Sequence, residues 1–192
     1  MKYTGILVIA LTISLFSFTP ILEEITKVDV EASTIEWKAS KVTGKHHGTL
    51  KLKSGDLIFT DGQLSGGRFT LDMTSIECAD LEGEYKGKLE GHLKSADFFA
   101  VEEFPTADLI IKNVYSRGTP GDYKVVADIT VKGMTKEIKF NTLLADGIAN
   151  ADITLDRTDY NVKYGSGTFF SNLGDKTIRD EFNLDVKIAY TK

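Results

Sequence analysis

A chain of 192 residues with one cysteine has room for a single domain plus a short targeting segment, and it cannot form an internal disulfide. Core hydrophobics must therefore supply its stability. The formal net charge is −5, with Lys and Arg scattered rather than clustered, which offers no footprint for a phosphate backbone and excludes nucleic acid as an expected partner.

In chain order the first feature is an apolar run from Gly5 to Phe18 behind Lys2. A single positive charge followed by a short apolar stretch is the pattern of a secretory signal, and the run falls short of the ~18 residues of a bilayer span. Residues 1–27 are read as a signal peptide, with an uncleaved N-terminal anchor as the alternative and a mature chain beginning between Pro20 and Asp29. The protein is then exported, periplasmic or secreted. No cysteine follows the run to be acylated.

The domain proper, residues 28–192, is dominated by alternation of period two, which marks strands with one buried and one wet face. Strands are expected near 34–42, 46–53, 56–60, 63–74, 106–114, 122–132, 136–145, 148–157 and 181–190. The last shows it best, with Phe182, Leu184, Val186, Ile188 and Tyr190 alternating with Asn183, Asp185, Lys187 and Ala189. Asp61-Gly62 and Asp146-Gly147 suit two-residue type I′ hairpins. Ser54-Gly55 reads as another hairpin, and Lys132-Gly133 joins the strand ending at Val131 to the next. Hairpins in series make a meander, and about eight strands leave two raw edges unless the sheet closes. The expected fold is all-β, an antiparallel eight-stranded or slightly larger barrel with one short helical segment.

Two stretches break the rhythm. Leu81, Tyr85, Leu89 and Leu93 recur every fourth position, as on one helical stripe. Gly83, Gly87 and Gly91 weaken that helix by about 1 kcal/mol each relative to alanine. The conflict suggests a movable cover over the barrel mouth, anchored by Phe98 or Phe99; the alternative is that the glycines let backbone pack closely on the sheet. Arg157 to Thr177 reads as an irregular loop with one short helical turn.

Candidate chemistry is sparse. Cys78 follows the apolar strand pattern of Met73 to Glu77 and is read as buried and inert. His46 and His47, as neighbours on a strand, point to opposite faces and cannot both approach one ion, so no metal is expected. His92 is assigned a structural hydrogen bond beside Asp97. Ser75 and Ser95 lie near Asp80, His92 and Asp97 in sequence but lack a Gly-x-Ser-x-Gly elbow, and Gly165-Ser166-Gly167 is a turn rather than a phosphate loop. No catalytic residue and no cofactor is assigned.

What remains is apolar surface around a closed sheet. The strand phases send Trp37, Leu50, Leu52, Phe69, Leu71 and Ile129 inward, together with Ile153, Leu155, Phe182, Leu184 and Val186. Leu89, Phe98 and Phe99 join them from the 81–99 segment. An eight-stranded interior is either filled by such side chains or holds one slender ligand.

The segment Gly91-His92-Leu93-Lys94-Ser95-Ala96-Asp97-Phe98-Phe99, followed by Glu103-Phe104-Pro105-Thr106-Ala107, resembles a signature of the YceI-like, polyisoprenoid-binding family. Asp29, Ser33, Ile35 and Trp37 fit that family's opening strand, and Asp128 to Thr135 fits its glycine-x-threonine hairpin. The resemblance spans residues 29 to 190. It implies an exported, lipocalin-like barrel without catalytic residues, which in some members holds a long isoprenoid chain. A membrane enters only as the source of ligand. The chain departs from the pattern at Ala32, where many members have histidine, and in the segments 44–48 and 164–170. The expected function is binding of a polyisoprenoid or similar lipid; the alternative is a secreted or envelope interaction protein whose barrel is packed core.

Overall fold

Alternating apolar and polar side chains give a sheet one face that must leave water. In the computed structural model, which describes residues 22–191, that face curls inward until the first and last strands meet. Eight antiparallel strands close a barrel in sequence order: β1 (Glu23–Lys41), β2 (Gly44–Thr60), β3 (Gln63–Cys78), β4 (Thr106–Ser116), β5 (Asp122–Val131), β6 (Met134–Ala145), β7 (Ile148–Asp156) and β8 (Glu181–Tyr190). One helix, α1 (Gly83–Lys94), lies between β3 and β4, and two 3₁₀ turns, Arg157–Tyr160 and Gly174–Lys176, punctuate the β7–β8 connection. The type I′ hairpins form as expected, with positive φ at both Asp61 and Gly62 and at both Asp146 and Gly147. Lys132 and Gly133 adopt the same turn conformation.

Three expectations are corrected. β1 begins at Glu23, because Glu23 to Lys27 pair with Thr60 to Asp56, so the folded domain takes in the last residues of the stretch 1–27. The apolar run Gly5–Phe18 lies outside the described residues. Next, the strands expected at 46–53 and 56–60 are one. Ser54-Gly55 makes no hairpin but a register shift within β2. Gly55 is needed for close approach, since a methyl group there would come within 2.6 Å of the Phe69 ring.

The third correction concerns α1. Leu93 is buried, Leu81 and Leu89 are partly buried, and Tyr85 is 74% exposed, so the stripe is fully buried only at Leu93. Glu90 adds a polar tether, its Oε1 accepting the Cys78 N–H at 2.8 Å. A methyl group on Gly87 would meet no atom within 4 Å, which removes the close-packing alternative there. Gly87→Ala is therefore expected to stabilise the protein by about 0.5–1 kcal/mol, seen as a higher urea midpoint. A lower midpoint would show that the helix uses the glycine in a way its surroundings do not suggest.

Candidate ligand cavity

The inward faces of the strands do not meet at the barrel axis. They enclose two apolar chambers stacked end to end, with volumes of about 90 and 80 Å³. Each has room for roughly five to nine water-sized spheres. Trp37, Leu50, Leu155, Phe98, Phe99 and Phe182 line the first chamber; Leu52, Phe69, Ile153 and Val186 line the second. Leu71, Ile129 and Leu184 border both and form a waist between them.

Every inward position expected from the strand alternation thus lies on a chamber wall, as do Phe98 and Phe99. Leu89 does not: it sits on the half-seated part of α1, packed against the core but facing neither chamber. Other wall positions were missed although the same alternation carries them, among them Ile35 on β1, Met73 on β3 and Val131 on β5.

The two ends differ. At the second chamber's end Phe59 packs on Tyr190, ring centroids 5.8 Å apart, and Tyr123 is buried beside Leu64, whose N–H points at its hydroxyl. The first chamber ends under two irregular segments, the stretch after α1 and the β7–β8 connection. Phe98 and Phe99 meet edge to face at 5.0 Å, and Lys132 on the β5–β6 turn donates to the carbonyls of Ala96 and Phe98. The His92 ring touches Tyr164 at 4.4 Å and Phe98 at 5.5 Å. Its Nε2 is buried without a hydrogen-bond partner, so His92 joins the two segments as a flat aromatic surface rather than through the hydrogen bond expected of it.

Arg157 holds the β7–β8 connection in place and was not foreseen. Only 3% exposed, it directs Nε to the Arg179 carbonyl, Nη1 to those of Val162 and Tyr164, and Nη2 to that of Ile178 and to the Asp180 carboxylate, all at 2.8–3.1 Å. Those contacts occupy all five guanidinium donors. Burial pushes its pKa down while Asp180 and Asp156 push it up. The guanidinium carbon lies 5.7 Å from the Phe98 ring centroid, so one buried cation touches both covering segments.

Outside the barrel, Asp80 draws the β2 and β3 ends together. Its carboxylate accepts from the His47 N–H at 3.0 Å, faces His46 Nδ1 at 2.9 Å and takes the Cys78 thiol at 3.2 Å. His47 Nδ1 is 3.8 Å from the same group, beyond hydrogen-bond reach, so of the two imidazoles His46 alone bonds the carboxylate. Burial works against the Asp80 charge, but the His47 N–H, His46 and Cys78 outweigh it and bring the carboxyl down to about 2. Burial pushes the Cys78 thiol up.

A family model described as "YceI-like domain" matches residues 27–190. A UPF0312 protein of Pseudomonas putida is 27% identical over 150 residues, 71% of this chain and 76% of that one. Another UPF0312 protein, from Staphylococcus aureus, is 35% identical over 69 residues, 34% of this chain and 37% of its own. Among solved structures, Burkholderia cenocepacia BcnA superposes with a TM-score of 0.70 at 18% identity, covering 85% of this chain and 99% of that one. A polyisoprenoid binding domain from Saccharophagus degradans gives 0.61 at 15% identity, covering 86% and 97%. These structural likenesses concern the fold.

Replacing Arg157 with leucine would strand four carbonyls and Asp180 around an apolar side chain. Arg157→Leu is expected to cost about 3–5 kcal/mol. Arg157→Lys, which keeps the charge but loses the planar fork, should cost less. Urea unfolding of both variants checks the order, and a Leu variant as stable as the parent would mean that the guanidinium does not hold the connection.

Proposed function

Because the chain belongs to the family of YceI-like domains, we propose that it is an exported carrier that holds a polyisoprenoid or a similarly long, slender lipid along the barrel axis and performs no chemistry on it. The observation that carries this reading is the pair of apolar chambers that share Leu71, Ile129 and Leu184 as wall residues. An elongated tail crosses such a waist more readily than a compact ligand does. Each methylene moved from water to these walls contributes about 0.8 kcal/mol, so affinity should follow tail length more than head-group identity.

Two further observations favour the reading. Among the described residues, Thr142, Arg157 and Arg179 are the hydrogen-bonding or charged side chains on the chamber walls apart from the Trp37 indole. The Arg157 donors are committed to carbonyls and Asp180, and the indole N–H donates to the Glu77 carbonyl at 3.1 Å. A lipid-modifying enzyme needs converging polar groups that are free to act. In addition, Val42, Tyr164, Phe169 and Phe170 are exposed around the first chamber's end, where Val42 N–H bonds the Thr177 carbonyl and Ile178 pairs with Lys41. Apolar side chains at a rim suit the uptake of a tail from a membrane. Export rests on the apolar run behind Lys2.

Organic extraction of the protein purified from its native host, followed by mass spectrometry, is expected to yield a long-chain apolar molecule. Adding that molecule to the stripped protein should change the emission of Trp37, the single tryptophan, which lines the first chamber. Clean extracts, or an extracted molecule that leaves Trp37 emission unchanged, would favour an interaction protein over a carrier. Narrowing the waist with Ile129→Phe should weaken binding of long tails by about tenfold or more, corresponding to two methylenes lost, while short tails keep their affinity. Equal loss for both lengths would contradict a tail spanning the two chambers.

A further inference from the structure

The group formed by His46, Cys78 and Asp80 has no part in the apolar cavity. His46 opens β2, Cys78 closes β3, and the ladder places Cys78 opposite Gly48. Beyond the strand end the chain stays on β2, with Ala79 N–H donating to the His47 carbonyl at 2.9 Å, and this returns the Asp80 side chain between the other two. An imidazole nitrogen, a thiol sulfur and a carboxylate oxygen then lie within 4.8 Å of one another.

We propose that these three side chains bind one divalent ion of the zinc class through His46 Nδ1, the Cys78 thiolate and an Asp80 oxygen, with water in the fourth position. The donor set selects the class. A thiolate with an imidazole suits borderline-soft ions such as zinc and cobalt, whereas calcium and magnesium take oxygen shells. The size agrees as well. Metal bonds of about 2.0–2.3 Å in a tetrahedron set neighbouring donors about 3.3–3.6 Å apart. Asp80 Oδ2 is now 2.9 Å from His46 Nδ1 and Asp80 Oδ1 is 3.2 Å from Cys78 Sγ, and the three donors span no more than 4.8 Å, so the imidazole and the thiol close on a single oxygen when the site fills.

His46 and Cys78 are directed at the two oxygens of one carboxylate, an arrangement that leaves the thiol without the imidazole partner a nucleophile needs but gathers three donors within 4.8 Å of one another. Access is from solvent, where the His46 and Asp80 side chains are 28% and 22% exposed, with Cys78 at 1% behind them. On binding, the Cys78 S–H bond breaks and its proton leaves to water while the sulfur electron pair goes to the metal. A proton on His46 Nδ1 is re-established on Nε2 through solvent. No electron is transferred.

The test is cobalt titration of the reduced, chelator-treated full-length chain in detergent without oxygen. One equivalent is expected to produce a thiolate-to-cobalt charge-transfer band in the near ultraviolet and the intense visible bands of a tetrahedral ion, both removed by zinc. Trp37 should be quenched in step, since its indole N–H bonds the Glu77 carbonyl next to Cys78. His46→Ala should weaken binding by more than the roughly 10–100-fold lost with an outer-shell partner, and Cys78→Ser should abolish the charge-transfer band. Absence of the band from the parent protein under excess cobalt overturns the proposal whatever the variants do. So does a His46→Ala variant, folded by circular dichroism, that binds cobalt as the parent does. Because lipid is not involved, failure here would leave the carrier reading untouched, and the reverse holds.

Discussion

An edge strand carries a row of unpaired N–H and C=O groups that must find partners or stay in water. β1 avoids this by serving two neighbours. It pairs with β2 through Glu23–Lys27 and Ile35–Lys41, and with β8 through Val28–Asp29 and Thr34–Lys38. The registers with both neighbours shift over the same few residues, where the strand must bend to stay in both ladders. Asp29 accepts the N–H groups of Glu31 and Ala32, and Ser33 Oγ donates to the Asp29 carbonyl while accepting from Ala189 N–H. Two short polar side chains thereby stand in for the missing ladder bonds. The same Asp29 and Ser33 fitted the family's opening strand, and their chemistry in the closure explains why such residues belong there.

A closed sheet makes a container only if its ends are managed, and the two ends do so differently. Aromatic rings fill one. At the other, two irregular segments meet over the first chamber, and the carbonyls of the β7–β8 connection would be poorly satisfied were it not for Arg157. Burying a charge is costly unless it is fully hydrogen-bonded, and this guanidinium meets that condition by turning its donors on the connection it supports. The apolar contacts of Phe98, Phe99 and His92 then seat the other segment against it. α1 contributes less: its glycines and its exposed Tyr85 leave it attached chiefly through Leu93 and Glu90.

The barrel was legible in the sequence because strand alternation and Asp-Gly turns are local signals that tertiary contacts did not override. Ser54-Gly55 misled because a glycine that lets Phe69 lie against backbone looks the same in sequence as a glycine that turns the chain. Leu89 shares the spacing of Leu93 and packs against the core, yet it lies on the outer side of the chamber walls. The role of Arg157 was out of reach, since its partners at 162, 164, 178, 179 and 180 lie in a stretch without periodicity. The His46, Cys78 and Asp80 group depends on the β2–β3 register, and spacing along the chain does not disclose which strand ends meet.

The pairing of β1 with β8 also has a temporal side. The Ser33–Ala189 bond joins residues 156 apart in the chain, and contacts of such separation form late and slowly because loop entropy is lost before they return anything. β1 is made first, and one flank of it must wait for the last strand. Until β8 docks, the apolar wall is an open, curved sheet with two exposed edges. The β1–β8 ladder is thus the seam of highest sequence separation in the barrel, and the interior is sealed from solvent only when that seam is closed.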